Sequence, residues 1–93
     1  MKNEKGDSVR AYVFVKLRQG KLAEFLDSLR KFPQVRRYAV ITGEYDGVLH
    51  VSATRVEDLF EVVKYLDGVP QIEDTNTHVV LKVFQLGPQP ERA

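Results

Sequence analysis

The period of the hydrophobic positions shifts between two and about 3.6 residues along the chain, and each shift marks an element. From Arg10 to Leu17 the side chains alternate. Ala11, Val13, Val15 and Leu17 point one way, and Tyr12 and Phe14 the other. This β-branched and aromatic content predicts a first strand, broken at Gly20. Leu22, Phe25, Leu26, Leu29 and Phe32 then recur at spacings of three and four, the stripe of an amphipathic helix. Glu24, Asp27, Arg30 and Lys31 make its wet face, and Pro33 stops it, since proline cannot continue the hydrogen-bond ladder. Residues 35–42 and 48–53 predict strands two and three, joined by the turn-forming run Gly43-Glu44-Tyr45-Asp46-Gly47. Thr54 and Glu57 have the spacing of a capping box. Behind them Val56, Leu59, Phe60, Val63 and Leu66 form a second helical stripe, ended by Gly68 and Pro70. Residues 74–86 predict strand four.

The order is β-α-β-β-α-β, and an internal echo supports it. Leu22, Leu29, Pro33, Gln34 and Val35 recur 37 positions later as Leu59, Leu66, Pro70, Gln71 and Ile72. Each half is one strand, one helix and one strand. The pattern predicts an α+β, ferredoxin-like fold: a four-stranded antiparallel sheet with two helices on one face. Residues 10–86 form this domain, residues 1–9 a flexible lead-in and residues 87–93 a flexible tail. The uncovered face of such a sheet is polar if water meets it. Here it is not. Tyr12 and Phe14 lie opposite the main apolar row of strand one. In strand four, Val80 and Phe84 oppose Thr75, Thr77, Val79, Leu81 and Val83. Sheet-to-sheet dimerisation of the dimeric α+β barrel type is the expected use of that face.

Composition then narrows the chemistry. The 93 residues are 43% hydrophobic and 29% charged, values of one ordinary globular domain. The net charge of +1 lacks the basic excess of a nucleic-acid binder. Arg36-Arg37, with Arg30 and Lys31 before them, read as a solvated helix end and strand start. With no cysteine, disulfides, thiolate zinc sites and cysteine nucleophiles are excluded. No apolar run is long enough to span a bilayer, and the polar start Met1-Lys2-Asn3-Glu4-Lys5-Gly6-Asp7 is unlike a signal peptide. A soluble, cytoplasmic protein is expected. His50 and His78 are the only histidines. In strand order four-one-three-two they stand about 10 Å apart, too far for one metal ion within a protomer. No serine–histidine–acid set and no phosphate-cradling glycine loop is present. No catalytic residue, metal site or cofactor is expected.

Two segments carry binding chemistry. Gly43, Glu44, Tyr45 and Asp46 put a flexible glycine, an aromatic ring and two carboxylates at a hairpin tip. Such a tip can offer backbone N–H groups to a carboxylate and an aspartate to an ammonium. Read alone, the same residues also make an ordinary turn. Thr75 and Thr77, two apart, place both hydroxyls on one sheet face. Read alone, they also suit any strand.

Taken together, the chain resembles the C-terminal effector domain of the Lrp/AsnC transcription regulators, the RAM domain. The resemblance rests on Ala11-Tyr12-Val13-Phe14-Val15-Lys16, Pro33-Gln34-Val35, Val40-Ile41-Thr42-Gly43-Glu44-Tyr45-Asp46 and Ile72-Glu73-Asp74-Thr75-Asn76-Thr77, and runs from about Arg10 to Phe84. It implies dimers joined through their sheets, further assembly into tetramers or octamers, and amino acids or related metabolites held in clefts between dimers. It also implies that Gly43, Glu44, Tyr45, Asp46, Thr75 and Thr77 line such a cleft. Full regulators carry a helix-turn-helix domain ahead of this module. Only nine polar residues precede strand one here, so a stand-alone form without direct DNA binding is expected, able to co-assemble with a full-length relative.

Two other readings share the fold. A small dimeric α+β barrel enzyme, monooxygenase- or isomerase-like, needs a catalytic side chain between helices and sheet, with His50 and His78 as candidates. An assembly partner of a full-length regulator needs no ligand of its own. A sealed apolar helix–sheet core with a cleft at the hairpin favours the sensor over the enzyme.

Overall fold

The computed structural model describes residues 9–88. Its elements are β1 (Val9–Leu17), α1 (Leu22–Ser28), β2 (Val35–Val40), β3 (Gly47–Ala53), α2 (Val56–Asp67) and β4 (Ile72–Val79). The four strands form one sheet in the order β2-β3-β1-β4, and each neighbouring pair is antiparallel. This is the expected ferredoxin-like arrangement.

Alternation in β1 decides which face the helices cover. Ala11, Val13 and Val15 are fully buried, whereas Tyr12 between them is 41% exposed. Leu49 and Val51 of β3 join that buried row, as do Phe25 from α1 and Leu59, Val62 and Leu66 from α2. Each such side chain contributes about 1.5–3 kcal/mol by leaving water. Ser52 is the one buried polar residue among those described, and its hydroxyl oxygen accepts a hydrogen bond from Arg36 Nε at 2.7 Å.

The 37-residue echo has a physical counterpart. Gln34, after the first helical segment, donates from Nε2 to Glu61 Oε1 of α2 at 3.5 Å. Gln71, after α2, donates from Nε2 to Glu24 Oε1 of α1 at 3.4 Å. The backbones agree: Gln34 O accepts from Ser52 N–H in β3, and Gln71 O from Arg18 N–H just past β1, both at 2.9 Å. Each half thus leaves its helix by binding the other half's helix and a strand of the shared sheet.

Several boundaries differ from the sequence expectation, each for a local reason. The first helix ends at Ser28 instead of running to Pro33. Its stripe continues through tighter turns, in which Leu29, Arg30 and Phe32 donate to carbonyls three residues back. Leu29 therefore stays buried, and the Phe32 ring reaches Tyr65 of α2 at 4.8 Å. At the start of α2 the N-cap is Arg55, one residue after the Thr54 of the expected box, and Arg55 makes no side-chain capping bond. Glu57 and Asp58 in the first turn favour the helix dipole. The second strand stops at Val40, where Ile41 N–H closes the hairpin onto Asp46 O at 3.0 Å. The largest difference is β4, expected over residues 74–86 and observed over Ile72–Val79. Its sole neighbour in the sheet is β1, which begins at Val9. Val80 still donates to Arg10 O at 2.9 Å; in this register the positions that follow would lie opposite Val9 and residues outside those described, and residues 81–88 belong to no helix or strand. Of the expected flexible ends, residues 1–8 and 89–93 lie outside the described residues.

Candidate functional site

Asp46 organises the hairpin tip. Its N–H donates to Val15 O at 2.9 Å, its carbonyl receives Ile41 N–H, and its carboxylate Oδ2 accepts from Leu17 N–H at 2.6 Å. One residue therefore ties the turn to both β1 and the end of β2. Gly43 sits at φ +115°, a conformation that side chains strongly disfavour, which is why glycine opens this turn. Glu44 is exposed. Tyr45 turns to the face away from the helices, where its half-buried ring lies 6.0 Å from that of Phe14.

Thr75 and Thr77 lie on the other side of β1. They pair with Val15 and Val13, so both hydroxyls point to the helix-covered face, where they are half-buried. The shared face expected from their spacing is observed. Val15 thus stands between the two candidate segments, bonded to Asp46 on one side and paired with Thr75 on the other. Two strand spacings, about 10 Å, separate them. Both segments sit at the same end of the sheet, but one protomer does not bring them together around one small molecule.

A residue missing from the sequence reading lies beside the hairpin. The ring of Tyr38 in β2 covers Gly47 so closely that a Cβ there would overlap it, and it meets Phe25 edge-on at 5.8 Å. Burial, helped by the Asp46 carboxylate, holds the Tyr38 hydroxyl above its ordinary pKa. Next to it opens a cleft of about 350 Å³, lined by Leu17, Gly20, Leu22, Tyr38, Val40 and Asp46 among others. The available signal was Gly47 itself, read as part of a turn although it begins a strand and stands opposite β2.

The histidines flank Tyr12, with which both pair, His50 in β3 and His78 in β4. His50 stacks on Tyr12 at 5.1 Å and His78 meets Phe14 edge-on at 5.6 Å. Both lie on the sheet face away from the helices, and not in the helix–sheet space that the enzyme reading requires. Among the described residues no three His, Cys, Asp or Glu side chains gather as metal ligands, and no helix is long and apolar enough to cross a membrane.

Comparison with known proteins agrees with this geometry. The family model of the Lrp/AsnC ligand binding domain matches residues 10–90. The HTH-type transcriptional regulator FL11 of Pyrococcus horikoshii is 32% identical over 80 residues, covering 86% of this chain and 53% of the regulator. The FL11 protein of Pyrococcus abyssi is 31% identical over the same shares. The chain thus spans about half the length of the curated relatives it matches. Among solved structures, a transcriptional regulator of Neisseria meningitidis in complex with L-Met superposes with a TM-score of 0.73 at 27% identity, covering 89% of this chain and 56% of that one. A protein of Thermus thermophilus, TTHA0845, gives 0.73 at 25% identity, covering 84% and 99%. A ferredoxin-like sheet, a hairpin braced by Asp46 and a match over nearly the whole described chain lead to one assignment: the protein belongs to the Lrp/AsnC ligand-binding domain family.

Proposed function

We propose that this domain binds a free α-amino acid, or a close metabolite, between copies of itself and couples that binding to assembly with regulators of its family. The observation that carries the reading is the placement of Asp46 and Thr75 on opposite sides of Val15. An amino acid's carboxylate and ammonium lie only a few bonds apart, so one molecule cannot use both segments of one protomer. The hairpin of one copy and the threonines of another can supply them together. Backbone N–H groups around Gly43 and Glu44 and the threonine hydroxyls suit the carboxylate. The Asp46 oxygen not engaged by Leu17 N–H suits the ammonium, and Tyr45 offers an aromatic wall. The L-Met complex of the Neisseria relative supports an amino acid as the ligand class.

The reading is non-enzymatic. Helix and sheet enclose an apolar core, and the open cleft lies beside the hairpin. Action on DNA would then pass through a helix-turn-helix partner, because a net charge of +1 gives little phosphate neutralisation.

A thermal-shift screen against the free amino acids identifies the ligand, since binding to the folded state raises the melting temperature. Calorimetry on two variants then tests the site. Asp46→Asn keeps an acceptor for Leu17 N–H while removing the charge, and is expected to weaken binding about ten- to a hundredfold. The double change Thr75→Val with Thr77→Val keeps β-branched shape and deletes both hydroxyls, with a similar loss expected. Parental affinity in both variants would show that the ligand sits elsewhere.

A further inference from the structure

The cleft beside the hairpin has a chemistry of its own. Its walls are largely apolar: Leu17 at the end of β1, Leu22 at the start of α1, and Tyr38 and Val40 in β2. Tyr38 and Val40 stand two positions apart on one strand, so both point to the helix-covered face. Two of these side chains remain largely in water, Leu22 at 40% and Val40 at 73% exposure. Apolar surface gathered around a concavity, instead of scattered singly, marks a binding groove. The volume of about 350 Å³ suits a small ligand.

Charge around the cleft works against ligand side chains of either sign. Asp46 stands on its border, one carboxylate oxygen held by Leu17 N–H at 2.6 Å. Arg18 and Lys21 line it from the loop between β1 and α1. Arg18 Nε donates to Pro70 O at 3.0 Å, and Lys21 Nζ lies 3.8 Å from Glu24 Oε1. An acidic side chain in the cleft would meet Asp46 and would have to draw these cations from their partners. A basic one would meet Arg18 and Lys21. An uncharged apolar chain meets neither cost and covers wall that is otherwise wet.

We propose that this cleft takes the side chain of the bound amino acid and selects a large apolar one, with Leu22 and Val40 setting the preference. The inference rests on the amino-acid reading above and adds the class of ligand to it. An ammonium held by the second oxygen of Asp46 puts the ligand's Cα at the border of the cleft. The ligand carboxylate is then left to donors of another copy, and its side chain to the apolar walls. Each methylene moved from water onto the walls of such an open cleft strengthens binding about two- to fourfold.

The test is a homologous series measured by calorimetry on the intact chain. Alanine, α-aminobutyrate, norvaline and norleucine differ only in chain length, and glutamate and lysine serve as charged counterparts. Affinity should climb at every step, about ten- to sixtyfold from alanine to norleucine. Both charged amino acids should bind more weakly than norleucine. Val40→Glu then sets a carboxylate on the cleft at a position mostly in water, so the folded circular dichroism spectrum should persist. It should weaken norleucine binding at least about fivefold and shift the ratio of norleucine to lysine affinity at least about tenfold toward lysine. A merely structural role for Val40 would weaken both ligands alike. Affinity that is flat along the series or absent from it, a charged amino acid that binds best, or equal losses of both ligands in Val40→Glu would overturn this inference alone. Absence of binding by every free amino acid would overturn the reading beneath it as well.

Discussion

At Gly47 one hydrogen atom makes room for a whole ring. The Tyr38 side chain lies where a Cβ would be, presses against Phe25 and carries its hydroxyl toward Asp46. Gly47→Ala is therefore an overpacking change in an otherwise tolerant strand position. A loss of about 1–3 kcal/mol is expected in urea unfolding. Adding Tyr38→Leu should recover part of it, because the two positions share one space. If Gly47→Ala unfolds at the parental urea midpoint, the ring does not depend on that glycine. Asp46 shows how much one residue of the hairpin was legible. Its place in the hairpin turn was predicted from the turn composition. Its bond to Leu17 N–H was not, because the partner is 29 positions away and no local pattern encodes it. For the same reason Asp46→Ala serves poorly as a probe of binding, since it strands a backbone donor as well as removing a charge.

At the scale of elements, alternation was the most informative property of the sequence. It assigned the two faces of β1 correctly, and the pairing of Tyr12 with both histidines follows from the strand order it implied. Phe14 faces away from the helices, touching Tyr45 and His78. Phe14→Lys should accordingly keep the folded spectrum while weakening self-association, measured by sedimentation velocity over a concentration series. Loss of the folded spectrum instead would place Phe14 in the core. Element ends were less legible than element types. The first helix stops early because backbone bonds to carbonyls three residues back can carry the same apolar stripe onward. The last strand stops early because strand propensity is only a tendency until another strand supplies the ladder. The sequence from Val80 to Leu86 has that tendency, yet residues 81–88 belong to no strand.

For the whole molecule, the internal echo is more than a repeat of letters. Gln34 and Gln71 each cross to the other half's helix, so the halves are fastened by two matching clasps at the helix exits. Nothing in either half alone could build the buried row of Ala11, Val13, Val15, Leu49 and Val51. The candidate site was legible as two segments and not as one pocket: the expected strand order already put β1 between strands three and four, but the bonds of Asp46 to Val15 and Leu17, which fix the hairpin tip against β1, follow from no local pattern. That central position of β1 also sets the order in which the domain comes apart. Bonded on both sides and buried along its inner face, β1 belongs to the last part to open, whereas the hairpin tip and residues 81–88 belong to the first. Amide exchange should therefore be slowest from Ala11 to Val15 and approach the global unfolding limit there. At Glu44, and from Leu81 to Phe84, it should be close to that of an unfolded peptide. Uniform protection along the chain would contradict this gradient. In kinetic terms the domain is a slow-exchanging spine with fast-exchanging extremities, and the proposed ligand site joins the two: the hairpin tip is an extremity, while Thr75 and Thr77 are laced to the spine.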